Sequence, residues 1–223
     1  MDNTTLIERL RPYVTEERFA LLNAKLSHRT RYMTCVLENV HHAHNASAVL
    51  RTCECFGIQD VSIISNTNDF VISKNIEHGS AQWLTVNMFQ NQTDNTPLAI
   101  DTLKGKGYRI VATTPHGGGV GLHDFDVTRG PFAIVVGSER KGVSPYTIAH
   151  ADEFLTIPMV GFTESLNLSV SAAIIISHLS QKMAQMKVNA GLCDAEKNEL
   201  LVKWLLASIR NADFVHRRIL SGE

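Results

Sequence analysis

Cysteine is scarce in this 223-residue chain, and the four present (Cys35, Cys53, Cys55 and Cys193) follow no disulfide spacing. Cys53-x-Cys55 lies near His41, His42 and His44, yet no second Cys/His pair stands at finger or ribbon spacing. The thiols therefore read as structural, and no metal is expected. Behind the N-terminal methionine there is no basic stretch followed by an apolar one, so no secretory signal is expected. Long hydrophobic runs are missing too. The most apolar helical candidate, Leu166–Leu179, is interrupted by serines and is too short to span a bilayer. A cytoplasmic enzyme or binding protein is the resulting expectation, with no membrane partner.

An excess of charge of either sign is also lacking, since the net charge is −1. Its distribution is uneven: residues 1–35 and 181–223 each carry +2, and the middle carries −5. Arg9, Arg11, Arg18, Lys25, Arg29 and Arg31 would suit phosphate contacts from an N-terminal extension. On charge alone a solvated helix surface is the better account. The composition, 44% hydrophobic and 19% charged, is that of an ordinary globular chain able to bury one sizeable core.

Periodicity orders the chain. Residues 4–28 read as helix, with Thr5-x-x-Glu8 as a capping box. Strands are expected at Tyr32–Glu38, Asp60–Ser65, Trp83–Phe89, Arg109–Thr113, Phe132–Gly137 and Phe154–Ile157. Helices are expected at Asn45–Phe56, around Pro97–Lys104, after Ser144-Pro145, and from Ser165 to about Met183. Such alternation implies a parallel α/β sheet. A final amphipathic helix, Ala195–Leu220, carries Leu201, Trp204, Leu205, Ile209 and Ala212 on one stripe and would dock on the core or on a second subunit. One α/β domain over 31–185, with helical extensions at 1–30 and 186–223, is the expected organisation.

The usual nucleotide loops fail. Gly137–Gly142 lacks the Lys-Ser/Thr ending of a phosphate loop, because Val143 and Ser144 follow the second glycine. Gly105-Lys-Gly107 precedes a strand and lacks a third glycine. His116–Gly119 resembles an oxyanion loop, but no nucleophile elbow accompanies it, so Gly117–Gly119 reads as a flexible turn.

Three polar clusters remain, all at strand–helix junctions, where open α/β sheets place ligands. They are His44-Asn45 through Arg51, Gly137-Ser138-Glu139 through Gly142, and Ser165-Leu-Asn167. Singly, each has a plain structural reading. Asn45 and Ser165 make good N-caps, Glu139 a loop carboxylate, and Arg51 a partner for Glu54 on its own helix. Their convergence on one sheet edge favours a functional reading.

The same three segments carry a resemblance. Asn45-Ala-Ser-Ala-Val-Leu-Arg51, the run Phe132–Ser144 with its G-x-E-x-x-G-V-S ending, and Ile157–Ala172 (I-P-M-x-G-x-x-x-S-L-N followed by Leu168 where Val is usual) occur in the order and spacing of the SpoU/TrmH branch of the SPOUT methyltransferases. The chain resembles that branch over roughly residues 4–185, and its basic first helix and Leu/Trp-rich last helix are similar to it as well. The resemblance implies a parallel-sheet fold with a C-terminal trefoil knot, which general topology rules would not suggest. It also implies a homodimer, S-adenosyl-L-methionine as methyl donor, and 2′-O-methylation of a tRNA ribose, most directly the D-loop guanosine at position 18. A ribosomal RNA 2′-O-methyltransferase, or a non-catalytic RNA-binding relative, is the alternative.

Carried onto this sequence, the resemblance nominates Asn45, Arg51, Glu139, Ser165 and Asn167 for catalysis. Thr113, Gly137, Ser138, Glu139, Ile157, Met159 and Leu166 would surround the cofactor. Arg9, Arg11, Arg29, Arg31 and His44 would bind RNA, with Arg217 and Arg218 as weaker candidates. Two departures stand out: the glycine-rich stretch Pro115–Gly121, and the added charge of Arg140-Lys141. Either would alter the guanosine pocket or be surface variation.

Overall fold

Two runs, Met33–Glu38 and Phe132–Val136, are buried at every position in the computed structural model, which describes residues 1–66, 79–115 and 118–221. A strand covered on both faces is mostly apolar, and these two lie side by side in a parallel sheet. Among the described residues its strands are β1 (Met33–Glu38), β2 (Asp60–Ile64), β3 (Thr85–Phe89), β4 (Arg109–Thr113), β5 (Val120–Gly121), β6 (Phe132–Val136) and β7 (Glu153–Thr156). The spatial order is β3-β2-β1-β6-β4-β7-β5, with every pairing parallel, and Cys35 stands opposite both Val61 and Ile134.

The helices are α1 (Asn3–Leu10), α2 (Glu16–Leu26), α3 (Ala43–Cys55), α4 (Thr96–Gly105), α5 (Pro145–His150), α6 (Leu168–Gln185), α7 (Asp194–Ser208) and α8 (Ala212–Ser221). Side chains alternate across a strand, so β1 serves two cores. Cys35 and Leu37 pack with Val49, Leu50 and Cys53 of α3 and with Ala172, Ile175 and Leu179 of α6. Val36 faces the other way, with Ala99, Ile100 and Leu103 of α4. Each fully buried Leu or Ile contributes roughly 1.5–3 kcal/mol of transfer free energy, so this layering holds the sheet edge that carries the polar junctions.

Arg31–Ala190 forms one compact unit, and Met1–Thr30 with the chain from Gly191 forms another. In the latter, α7 buries Leu200, Leu201, Trp204 and Leu205 and packs against α1 and α2, whose Leu6, Leu10, Leu22 and Leu26 are buried.

Several sequence expectations need correction. The first helix is two helices: Pro12 has no amide hydrogen to continue the ladder, and Thr15 caps α2 by accepting from the Arg18 amide. Asp2 is the N-cap of α1, its carboxylate accepting from the Thr5 amide at 2.8 Å, and it takes the place of the Thr5-x-x-Glu8 box. The long helix α6 opens at Leu168 rather than Ser165, because Asn167 accepts from the Ser169 and Val170 amides. The last segment breaks at Ile209, which is extended, and at Asn211, whose φ is 60°. Residues 80–83 form a 3-10 turn ahead of β3. Of the glycine-rich turn, His116 and Gly117 lie outside the described residues, while Gly118 has φ 112°, a conformation that favours glycine.

Candidate active site

The carboxyl ends of β4, β6 and β7 open into a cavity of about 840 Å³, within the range of small-molecule sites. Thr113 lines it from β4, where its hydroxyl donates to the Val135 carbonyl at 3.0 Å. Gly137, Ser138 and Glu139 line it from the turn after β6, and Ile157, Met159, Ser165, Leu166 and Asn167 from the segment between β7 and α6. Asn45 joins them from the first turns of α3. All seven residues nominated for the cofactor, and four of the five nominated for catalysis, therefore face one space.

The turn after β6 closes on itself. The Ser138 amide donates to the Gly142 carbonyl and the Gly142 amide to the Ser138 carbonyl, both at 2.9 Å. The Ser138 hydroxyl accepts from the Lys141 amide at 3.2 Å. A Cβ on Gly137 would stand 2.0 Å from the Gly142 carbonyl carbon, so only glycine allows the closure. Gly142 itself has φ 67°.

From this turn Glu139 reaches α3. Its carboxylate accepts from Asn45 Nδ2 at 2.8 Å and from the His41 and His42 amides at 3.1 and 3.4 Å. Partial burial pushes its pKa up, but these donors outweigh that effect and hold it below the usual glutamate value. Asn45 Oδ1 in turn accepts from Asn167 Nδ2 at 3.3 Å. A chain of hydrogen bonds, Glu139–Asn45–Asn167, thus joins residues 94 and 122 positions apart in sequence. Since Asn167 also caps α6, the cap and the network share one side chain.

Arg51 is not brought to this wall. It is exposed on α3, does not line the cavity and has no hydrogen-bond or ion-pair partner among the described residues. Six residues along an α-helix is about 600° of rotation and 9 Å of rise, so Asn45 and Arg51 point in directions about 120° apart. His44 is likewise exposed and outside the cavity lining.

The arginines nominated for RNA are engaged elsewhere. Arg29 is 4% exposed, with its guanidinium 5.0 Å from the Trp204 ring centre, and is withdrawn as an RNA contact because it presents no surface. Arg9 donates to the Ile219 carbonyl at 3.1 Å, Arg11 pairs with Glu16 at 3.0 Å, and Arg31 pairs with Asp60 at 3.3 Å. Arg18 donates to the Ser208 hydroxyl, and Arg217 to the carbonyl of Asp213.

Sequence reading passed over one residue that shapes the site. Glu38, the last residue of β1, is fully buried. It accepts from the Ser144 amide at 2.9 Å and from the Thr96 and Thr147 hydroxyls at 3.0 Å each. A buried carboxylate is tolerated only with such partners. Here they tether the exit of the Gly137–Gly142 turn to the sheet. An acid ending a mostly apolar strand was the available signal.

The model of the SpoU rRNA Methylase family matches residues 32–177. The chain belongs to this family. It is 34% identical to the tRNA (guanosine(18)-2'-O)-methyltransferase of Borreliella burgdorferi over 95% of both chains. To the Escherichia coli K12 protein of the same name it is 32% identical, over 82% of this chain and 80% of the other. Among solved structures, the A. aeolicus TrmH/SpoU tRNA modifying enzyme superposes with a TM-score of 0.76 at 29% identity, covering 88% of this chain and 98% of that one. The three motif segments of this SpoU family chain are the ones that meet at the cavity.

Among the described residues no cluster of His, Cys, Asp or Glu is arranged to hold a metal ion, and no helix is long and apolar enough to cross a membrane.

Proposed function

We propose that this SpoU family protein transfers a methyl group from S-adenosyl-L-methionine to the 2′-hydroxyl of a tRNA guanosine, the one at position 18. The observation that carries the reading is the Glu139–Asn45–Asn167 chain on one wall of the cavity, in a protein that aligns nearly end to end with a relative of that named activity.

The cavity suits the methyl donor. Ile157 and Leu166 offer apolar surface for an adenine ring, and the turn leaves no room for a Cβ at Gly137, where its backbone closes on Gly142 and Val143. When bound, the donor supplies an electrophilic methyl group on a sulfonium. The chain's own residues must then position the ribose and help its proton leave. Asn45, held by Glu139 on one side and Asn167 on the other, presents a fixed amide to the cavity, which Ser165 also lines.

Arg51 acts as an electrostatic partner of the developing alkoxide and not as a base, because a guanidinium stays protonated and has no acceptor. Water or an RNA phosphate takes the proton. Because Arg51 is exposed and turned away from its own cavity, it serves the cavity of a second copy, in a homodimer that covers the exposed Val170 and Ile174 one turn apart on α6. The strand order, with β7 seated between β4 and β5, supports the trefoil crossing after β7 that the family implies. The cytoplasm, where tRNA is modified, is the site of action.

Labelled S-adenosyl-L-methionine offered with unmodified tRNA and with ribosomal RNA tests the reading. Label on the ribose of tRNA guanosine 18 is expected. Label confined to ribosomal RNA, which the family's own description mentions, would overturn it. Arg51→Lys keeps the charge but loses the planar fork, and a fall in kcat of about 10²-fold is expected. Near-normal turnover would refute the need for guanidinium geometry.

A further inference from the structure

RNA binding needs cations that are free to meet phosphates, and the arginines of the terminal helices are largely committed to partners within their own unit. At the cavity itself the situation is reversed. Arg140 and Lys141 line its rim, both are exposed, and neither side chain has a hydrogen-bond or ion-pair partner among the described residues. They stand in the acidic middle of the chain, where two adjacent unpaired cations are out of keeping with the local charge.

Two features keep them available. Glu139, their sequence neighbour, has its carboxylate taken by three donors and points to α3. The other acid lining the cavity, Glu164, makes no ion pair with either cation. Their backbone is also held firmly. The Lys141 amide donates to the Ser138 hydroxyl, and the Ser138–Gly142 pair closes the turn beneath them. A fixed backbone carrying two unpaired charges loses less entropy on meeting an anion than a mobile one.

We infer that Arg140 and Lys141 clamp the phosphodiesters flanking the nucleotide that enters the cavity, and thereby set its depth beside Asn45. The inference rests on the methyl-transfer reading for its substrate, and its charge argument applies to whichever RNA the wild-type protein methylates. Phosphate contacts of this kind carry position and no base identity.

Methyl transfer and RNA binding by the full-length protein, compared across wild type, R140A/K141A and the charge-keeping R140K/K141R, test it on the RNA that wild type modifies. For R140A/K141A the slope of log affinity for RNA against log salt should become shallower by about 1 to 2, since each phosphate contact contributes roughly 0.7–0.9. KM for RNA should rise roughly tenfold, while KM for S-adenosyl-L-methionine stays within twofold. R140K/K141R should keep the wild-type slope. A raised KM for S-adenosyl-L-methionine with an unchanged salt slope would overturn the inference and assign the cations to the donor's carboxylate. No change in either would mark them as a solvated surface. Failure of the methyl-transfer reading is distinguishable, because wild type would then label neither RNA, whereas label confined to ribosomal RNA would overturn only the tRNA assignment and move the test of the clamp to that RNA.

Discussion

Two segments wall the same cavity and are built in opposite ways. Gly137–Gly142 is bonded to itself at both ends, tied to α3 through Glu139 and fastened to β1 through Ser144 and Glu38. Pro158–Leu166 makes no hydrogen bond among the described residues, and Val160 and Phe162 are fully exposed. Local stability follows such bonding, so the first wall is formed in advance and the second costs little to displace. A site that must admit both a small molecule and an RNA gains from this division. The rigid wall holds groups whose geometry matters, and the loosely bonded wall can adjust around a ligand. Asn167 ends the loose segment and hands it over to the rigid network.

The contrast can be broken most directly at its tightest point. Gly137→Ala places a Cβ 2.0 Å from backbone, so the turn must open. Binding of S-adenosyl-L-methionine, followed by equilibrium titration, should weaken at least 100-fold, and a near-normal affinity would show that the turn's closure is dispensable. Glu38→Ala leaves the Ser144 amide and two hydroxyls without their acceptor, and should cost about 2–4 kcal/mol in urea unfolding. A loss below about 1 kcal/mol would mean that water replaces the carboxylate.

Asn45→Ala cuts the bridge between the two walls. Methyl transfer should drop 10- to 100-fold at saturating substrates, with a smaller change in stability. It also removes the strongest donor to Glu139, whose pKa is lowered in the folded protein. A lowered carboxylate contributes stability that is complete above its unfolded value of about 4.5 and is lost as pH falls through the folded one. Acid unfolding of Asn45→Ala should accordingly begin at a higher pH than that of wild type, and superimposable curves would refute the coupling. The smallest effect belongs to the loose wall. Thr163→Ala, on an exposed residue that makes no hydrogen bond among the described residues, should leave unfolding within about 0.5 kcal/mol of wild type.

Much of the architecture was legible along the chain. Buried parallel strands announce themselves as apolar runs, and β4 was located to the residue. Where reading failed, a local signal was outvoted. Ser165 is a good cap in isolation, but Asn167 sits where its side chain can meet the Ser169 and Val170 amides and Asn45 as well. The arginines of the first helices looked available because charge alone says nothing about partners. Arg29 under Trp204 and Arg9 on the Ile219 carbonyl depend on contacts 175 and 210 residues away.

The sequence by itself determined the alternation of strands and helices, the three polar junctions and their motif spacing, because these follow from periodicity, turn chemistry and residue identity over short stretches. Only the tertiary structure decided that Asn45 joins Glu139 to Asn167, that Arg51 stands apart from them, and that Glu38 anchors the turn from inside the sheet. Each of those outcomes depends on where distant segments are set by strand order and core packing, and no local pattern encodes a distance across the fold.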